Sequence, residues 1–207
     1  CWKKDGHKEV NMNKAIKVSC DVYFYHIARR VGIDKIAEVC RRFGLGNEVF
    51  DLFYEEQPGI VPDKKWKRAT LGKKWLIGET LVSAIGQSYF LSTSSQLSLA
   101  FAQIVNGGKQ IRPNLIYKDG DNNVKIPTLL AAQSHLKILM KALDDATNEQ
   151  GGTSYRSRIL GENKMAGKTG TSQVRVISEK EREEGIIKNK DLPWNKRDHG
   201  LYVGYGP

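Results

Sequence analysis

Apolar residues recur with helical spacing near the start of the chain. Tyr25, Ala28 and Val31 lie about one helical turn apart, and Gly32 ends the pattern. A second helix is expected next, because Asp34 can cap its N-terminus and Gly44 lies where a left-handed C-terminal cap belongs. Its apolar positions at i, i+3, i+4 and i+7 are Ile36, Val39, Cys40 and Phe43. On this pattern Cys40 is predicted to be a small core residue.

Two more helices are predicted in the second half of the chain. One begins at Ser94 or Ser95 and ends at Asn106, and its apolar positions are Leu97, Phe101, Ile104 and Val105. The other is capped by Ser134 and closed by Gly151 and Gly152. One side of this second helix carries Leu136, Leu139, Met140, Leu143 and Ala146.

The remaining segments predict strands and loops. Residues 164–176 and 200–206 are expected to form strands, and residues 109–127 a hairpin that turns at 119–122. The polar, Pro- and Gly-containing segment 45–90 predicts irregular surface chain. The charged connection 177–199 exceeds the roughly 12–15 residues usual for a structureless loop, so it is either functional or mobile. Helices interrupting a few antiparallel strands indicate one α+β domain over residues 1–207.

Composition narrows the class of protein. The 207 residues are 40% hydrophobic and 27% charged, which is typical of a globular chain. A net charge of +10 favours anionic partners, but the lysines are scattered, so a solvated surface is favoured and no nucleic-acid partner is predicted. The sequence has neither a run of 18 apolar residues nor a signal-peptide pattern. Both ends are interpreted as truncated, with any membrane anchor outside these residues.

The tetrapeptide Lys168-Thr169-Gly170-Thr171 is the strongest chemical signal. An ammonium beside two hydroxyls can bind a carboxylate and lower the cost of forming a nearby oxyanion. Gly170 lets another backbone approach the strand closely. Alone, such a tetrapeptide is as often structural as functional.

A second, weaker signal is Ser19-x-Asp21 within "KVSCDVYFY". Serine and aspartate are common in turns and caps for structural reasons alone. In turn geometry, however, residues i and i+2 can face one cleft while Cys20 points away from it.

Together and in this order, the two motifs resemble the second and third signatures of the penicillin-recognising serine enzymes, Ser-x-Asn or Ser-x-Asp and then Lys-Thr-Gly. The chain most resembles the class B penicillin-binding proteins of cell elongation (penicillin-binding protein 2), which carry Asp in the second motif. The resemblance extends over nearly the whole chain. It includes "CWKKDGH", "SCDVYFYHIA", "GIDKIAE", "PDKKWK", "IGETLVSAIGQ", "GGT" and "AGKTGTSQV".

The resemblance implies a fold and an activity. The fold is an antiparallel sheet flanked by a helical region, as in penicillin-binding proteins and serine β-lactamases. The activity is D,D-transpeptidation, which cross-links peptidoglycan stem peptides through a serine acyl-enzyme and is blocked by β-lactams. The nucleophile belongs to a Ser-x-x-Lys motif that should precede Ser19. Ser134-x-x-Lys137 is rejected for this role because its order is wrong and Ser134 is expected to cap a helix, so this chain alone should be inactive.

The resemblance also assigns roles to the residues. Ser19 relays a proton to the departing amine, and Asp21 orients the network around it. Lys168, Thr169, Gly170 and Thr171 bind the terminal carboxylate of the substrate. The backbone N–H of Thr171 forms half of the oxyanion hole.

Cys1, His7 and Cys20 form a candidate metal site. Zinc favours four such ligands, and from spacing alone a buried thiol, a solvent-facing imidazole and an inconsequential terminal cysteine are the simpler interpretation. The resemblance favours a structural zinc, with an upstream Asp as the fourth ligand, that would hold residues 1–20 and aim Ser19 and Asp21 into the cleft. A Cys1–Cys20 disulfide is the alternative. No cofactor is expected for the chemistry itself.

The resemblance further implies a membrane-anchored protein with its catalytic domain in the periplasm. Its expected partners are peptidoglycan stem peptides, β-lactam antibiotics, a membrane glycan polymerase and the elongation machinery. A β-lactamase or D,D-carboxypeptidase of the same fold remains an alternative, as does a non-catalytic β-lactam sensor or scaffold.

Overall fold

The structure, a computed structural model, describes residues 2–3, 5–50, 55–115, 126–130, 132–175, 181, 183 and 185–207. The α-helices among them are α1 (Met12–Lys17), α2 (Asp21–Val31), α3 (Ile33–Arg42), α4 (Lys64–Leu71), α5 (Ile77–Ser83), α6 (Ser94–Val105) and α7 (Gln133–Asn148). Short 3₁₀ turns occur at Tyr155–Ser157, Asn189–Asp191 and Trp194–Lys196. In this part of the chain, no helix combines the length and apolar character needed to cross a membrane.

Two strands form a small antiparallel sheet. Strand β1 (Ala166–Ser172) pairs with β2 (His199–Tyr205), in a register that runs from Ala166 opposite Tyr205 to Ser172 opposite His199. Helices flanking a small antiparallel sheet confirm the predicted α+β class. Both predicted strands are present, although β1 is shorter than residues 164–176.

Helix α7 contacts elements from both the N-terminal and the C-terminal part of the chain. It packs against both α1 and β1. Its buried apolar side chains include Leu136, Ala142, Leu143 and Ala146. Burying a leucine side chain contributes about 1.5–3 kcal/mol, so these contacts hold the N-terminal helix beside the C-terminal sheet. The same packing decides which distant residues can meet.

The four predicted helices are confirmed as α2, α3, α6 and α7, but two of their predicted N-terminal caps are wrong. Helix α3 begins after Gly32, and Asp34 within its first turn pairs instead with the ammonium of Lys64 at 2.9 Å. Helix α7 begins after Ala132, so Ser134 lies inside the helix and does not cap it.

The predicted apolar face of α3 is only partly correct. Val39 is 47% exposed, and the helix buries Ile33 and Ala37 instead. Cys40 is only partly buried, as a free thiol, rather than a core residue.

The prediction that 45–90 is irregular is wrong, because the segment contains α4 and α5. The side chain of Asp63 caps α4 by accepting a hydrogen bond from the backbone N–H of Trp66 at 2.7 Å. The residue that α4 buries is Lys67, which is 3% exposed and forms an ion pair with Glu79. A helix that buries a paired lysine shows no apolar periodicity there, which explains why α4 was missed.

The two predicted loops have different outcomes. The turn at 119–122 lies outside the described residues, but an isolated antiparallel bridge joins Lys109 to Thr128 across it. The described part of the 177–199 connection contains two 3₁₀ turns. It is held by Asp198, which accepts a hydrogen bond from Val174 N at 3.1 Å and donates one to Asn189 Oδ1 at 2.8 Å.

Candidate active site

Ser19 lies in the tight turn that ends α1. The backbone N–H of Ser19 donates to Ile16 O at 3.2 Å, and that of Cys20 donates to Ala15 O at 2.8 Å. These two bonds form a Schellman motif, in which Ser19 occupies the position that is usually glycine. Its φ of +50° is left-handed, which costs an L-residue about 1–2 kcal/mol. The serine is therefore held in a strained conformation.

The indole of Trp2 supports this turn. Its Nε1–H is shared between the carbonyl oxygens of Val18 and Ser19, each at 3.1 Å. Carbonyls at a helix C-terminus have no partner within the helix, so the indole satisfies groups that would otherwise need water. The sequence interpretation missed this residue, because a side chain that contacts backbone 16 or 17 residues away leaves no local pattern.

Lys168 reaches the Ser19 turn from β1. Its ammonium donates hydrogen bonds to Ser19 Oγ, to Thr169 O at 2.9 Å and to Thr169 Oγ1 at 3.3 Å. The two residues are 149 positions apart in sequence. The structure thus brings the serine of the second motif and the lysine of the third into direct contact.

A short chain of contacts aligns β1 with α1. The hydroxyl of Thr169 donates to Thr153 Oγ1 at 3.0 Å, and the backbone N–H of Thr153 donates to Lys17 O at 3.2 Å. One turn earlier in α1, the side-chain amide of Asn13 donates to the carboxylate of Asp145 on α7 at 3.0 Å. The segment between α7 and β1 therefore links the Ser19 turn to the strand that carries Lys168.

Burial and Asp21 act in opposite directions on Lys168. Burial lowers the pKa of the Lys168 ammonium, and the carboxylate of Asp21 raises it. Asp21 is the first residue of α2, so its carboxylate lies at the positive end of that helix. A lysine with a lowered pKa beside a serine hydroxyl can hold a carboxylate and take part in proton transfer.

The other residues of the third motif lie at the outer end of β1. Gly170 and Thr171 are exposed, and Thr171 lies opposite Gly200. A Cβ on Gly170 would meet only Leu201 Cβ, at an ordinary 3.6 Å. Within this chain, Gly170 is therefore not required by a close backbone approach.

The glycine that β1 requires is Gly167, which the sequence interpretation did not single out. A Cβ there would lie 2.3 Å from Val203 O and 2.5 Å from the hydroxyl of Tyr202. Because this requirement arises from contacts with β2, no local sequence pattern identified it.

The predicted metal ligands are only partly described. Cys1 lies outside the described residues, whereas His7 and Cys20 line one cavity of about 540 Å³ together with His26. No group of three or more His, Cys, Asp or Glu side chains is placed to bind a metal among the residues that the structure describes. Burial and Lys3 lower the pKa of His7, which favours the neutral imidazole that metals bind, while Asp21 opposes this effect. Cys20 is a buried free thiol.

Known proteins resemble this chain over its whole length. Residues 1–207 match the family described as the penicillin binding protein transpeptidase domain. The peptidoglycan D,D-transpeptidase MrdA of Acinetobacter baumannii is 34% identical over 220 residues, which cover 100% of this chain and 31% of that protein. The chain therefore spans about a third of the length of the curated relatives it matches.

Solved structures agree with the sequence matches. A complex between penicillin-binding protein 2 and MreC from Helicobacter pylori superposes with a TM-score of 0.82 and 32% identity, covering 99% of this chain and 35% of that one. Penicillin-binding protein 2 of Pseudomonas aeruginosa, in complex with WCK 5153, gives a TM-score of 0.78 and 31% identity, covering 95% of this chain and 41% of that one.

Proposed function

The chain belongs to the penicillin-binding protein transpeptidase family, and on that premise we propose that it is part of a peptidoglycan D,D-transpeptidase acting in cell elongation. The observation that supports this function most is the contact between the Lys168 ammonium and Ser19 Oγ. That contact unites the two motifs of this chain that the chemistry requires.

The proposed reaction has two steps. In the first, a serine Oγ attacks the carbonyl of the penultimate D-Ala of a stem peptide. A C–O bond forms, the C–N bond to the terminal D-Ala breaks, and the serine proton passes to the departing amine. In the second, an amine of a neighbouring stem peptide attacks the ester. The new C–N bond replaces the C–O bond, and a proton returns to the serine. The nucleophile is supplied by the longer protein, upstream of Ser19.

The described residues have distinct roles in this scheme. Ser19 carries the proton between the nucleophile and the leaving amine, and its hydroxyl is held for this by Lys168. Lys168, Thr169 and Thr171 bind the terminal carboxylate, while the N–H of Thr171 donates to the developing oxyanion. Gly170 keeps the strand open to the substrate. Asp21 raises the pKa of Lys168 and so opposes the effect of burial.

The test uses the full-length protein, a D-Ala-D-Ala donor peptide and an amine acceptor. Cross-linked product, with stoichiometric acylation by a penicillin, is the expected result. Ser19→Ala should lower the acylation rate at least tenfold, because proton transfer by a positioned side chain typically contributes about 10²–10⁴-fold. Hydrolysis of the donor without cross-linking would instead indicate a carboxypeptidase or β-lactamase. Acylation without any turnover would indicate a β-lactam sensor.

We also propose a structural zinc held by Cys1, His7 and Cys20, with a fourth ligand from the longer protein. The shared cavity of His7 and Cys20 supports it, because a neutral imidazole and a thiolate suit zinc. Zinc there would fix the segment before Ser19 and supply no step of the reaction. Metal analysis of the full-length protein should give about one zinc per chain, lost in His7→Ala. Absence of zinc, or a Cys1–Cys20 disulfide, would exclude the site.

Partners and location follow from the same premise. The chain is proposed to be one part of a single transpeptidase domain, attached to the inner membrane and facing the periplasm. The Helicobacter pylori relative was solved in complex with MreC, so an MreC-like protein of the elongation machinery is a proposed partner. A membrane glycan polymerase is another, and co-purification from membranes tests both.

A further inference from the structure

The exposed side of α4 and the turn that follows it are strongly basic. Residues 64–78 contain six Lys or Arg residues and no Asp or Glu. Two of the six are neutralised, because Lys64 pairs with Asp34 and buried Lys67 pairs with Glu79. The other four are exposed and form no ion pair with any residue that the structure describes, so their charge is available to a ligand. They are Lys65, Arg68, Lys73 and Lys74.

Apolar side chains are exposed beside these charges. Leu76 is 63% exposed and Ile77 is 61% exposed, and Leu71 at the end of α4 is exposed as well. A helix that only faces solvent has no need of such side chains, whereas exposed apolar groups with a polar rim are typical of binding sites. We call these three residues and the four unpaired cations the basic surface.

The backbone beneath the basic surface is held in place from its inner side. Gly72 ends α4 in the left-handed conformation, and the backbone N–H of Leu76 donates to the carboxylate of Glu79 at 2.7 Å. The indole N–H of Trp75 donates to Thr80 Oγ1 at 2.8 Å. The exposed charges therefore extend from an ordered scaffold, which reduces the entropy that a ligand must remove when it binds.

The basic surface is separate from the candidate active site. Helix α5 packs against α2, and it is α2 that carries Asp21 to the active site. The pKa of Lys168 is shifted by burial and by Asp21, and not by the cations of the basic surface. A ligand on the basic surface therefore leaves the active site open to another part of the same ligand.

The side chains of the basic surface suit an acidic ligand that also has small apolar groups. Lysine and arginine bind carboxylates, and arginine can do so with two parallel hydrogen bonds. Leucine and isoleucine gain free energy by covering methyl and methylene groups. A peptidoglycan stem peptide offers both, because it has free carboxylates and alanine methyl groups, and many stem peptides repeat along one glycan strand.

We propose that the basic surface binds stem peptides of a glycan strand outside the active site, and that it holds the strand while another of its stem peptides enters the active site. Holding one part of a polymer raises the effective concentration of its other parts at a nearby site. This inference rests on the proposed transpeptidase function and goes beyond it, because it adds a second binding surface for the polymer.

The test measures co-sedimentation of the full-length protein with purified peptidoglycan, after acylation by penicillin has blocked the active site. A triple variant, Lys65→Gln with Lys73→Gln and Lys74→Gln, should bind about tenfold more weakly, since each exposed charge contributes about two- to threefold. Leu76→Ser should weaken binding several-fold without harming α5, because serine is a preferred N-cap. Peptidoglycan whose carboxylates have been converted to amides should bind the wild type no better than the triple variant.

The matched control is a triple variant of exposed lysines elsewhere, Lys35→Gln with Lys109→Gln and Lys137→Gln, which removes the same charge. Leu160→Ser, at a side chain that is 74% exposed, is the control for Leu76→Ser. Both controls should bind peptidoglycan like the wild type. Equal losses in surface and control variants, or equal binding of native and amidated peptidoglycan, would overturn the proposal. Binding to phosphatidylglycerol vesicles in place of peptidoglycan would also overturn it and would indicate a lipid-binding surface.

A second measurement separates this inference from the proposed function. The triple variant of the basic surface should match the wild type in penicillin acylation and in turnover of a single D-Ala-D-Ala peptide, but should turn over a polymeric glycan donor more slowly. If both donors are turned over equally well by the variant and the wild type, only the second binding surface is wrong. If the wild type is neither acylated nor turns over any donor, the transpeptidase function fails, and the sedimentation test still decides whether the basic surface binds peptidoglycan.

Discussion

Replacing Ser19 tests whether this residue has the left-handed backbone conformation that the structure shows. Ser19→Ala and Ser19→Gly both remove the hydroxyl that accepts from Lys168, so this loss cancels when the two variants are compared. The comparison isolates the backbone, because alanine at a φ of +50° keeps the strain and glycine relieves it. The glycine variant should therefore be the more stable of the two.

The size of the difference follows from two opposing effects. A left-handed conformation costs a residue with a Cβ about 1–2 kcal/mol. Glycine gives back about 0.5–1 kcal/mol, because its unfolded chain has more conformational freedom to lose. With the middle of each range, the net advantage of Ser19→Gly over Ser19→Ala is about 0.75 kcal/mol. For a domain of this size or larger, this corresponds to about 1–3 °C in Tm.

The assay is thermal unfolding of the complete transpeptidase domain, with Ser98 as the matched control. Ser98 is exposed within α6, where an ordinary helical backbone favours alanine over glycine by about 0.8–1 kcal/mol. The two sites should therefore rank glycine and alanine in opposite orders. If Ser19→Ala is as stable as Ser19→Gly or more stable, Ser19 does not occupy the left-handed position of a Schellman motif.

Three further predictions concern the surroundings of Ser19. Trp2→Phe removes the N–H that two carbonyls share, a loss of about 1 kcal/mol, and should slow penicillin acylation several-fold. The control variant Trp194→Phe should leave the acylation rate unchanged. Equal rates in the two variants would contradict the support of the turn by Trp2. Asp21→Asn removes the charge that raises the pKa of Lys168, so Lys168 should lose its proton at a lower pH. The alkaline limb of the acylation–pH profile should therefore move to lower pH. If the limb does not move, Asp21 does not act on Lys168. Gly167→Ala places a Cβ 2.3 Å from Val203 O. In urea titrations, this variant should lose about 2 kcal/mol or more of unfolding free energy. A smaller loss would contradict the close approach of β1 and β2 at Gly167.

Helices could be predicted from the sequence where apolar periodicity is strong. Helices α6 and α7 combine such periodicity with Asn or Gly close to their ends, and both were predicted nearly to their limits. Helix α4 was missed because its position against the core is taken by Lys67, whose burial depends on the distant Glu79. Periodicity detects apolar faces and gives no information on a buried ion pair.

Some residues of the candidate site could likewise be predicted from the sequence, and others could not. Ser19 and Lys168 could be found because each belongs to a motif of fixed local spacing. Trp2 and Gly167 could not, because their importance arises from contacts with Ser19 O and Val203 O that only the folded chain creates. Local spacing therefore identified the two residues that meet in the candidate site, while the residues that position them depend on tertiary contacts.

The proposed function would explain the strained backbone of Ser19. A left-handed residue at the end of α1 reverses the chain so that α2 begins at Asp21, and it leaves the hydroxyl facing Lys168. Glycine would form the same turn at lower cost, but it has no hydroxyl to carry the proton. The residue that costs stability is thus the one that the proposed chemistry needs. Ser19→Gly should accordingly unfold at a higher temperature than Ser19→Ala. Its rate of acylation by penicillin should nevertheless be no higher. Faster acylation by the glycine variant would mean that the shape of the turn, and not the hydroxyl, limits the reaction.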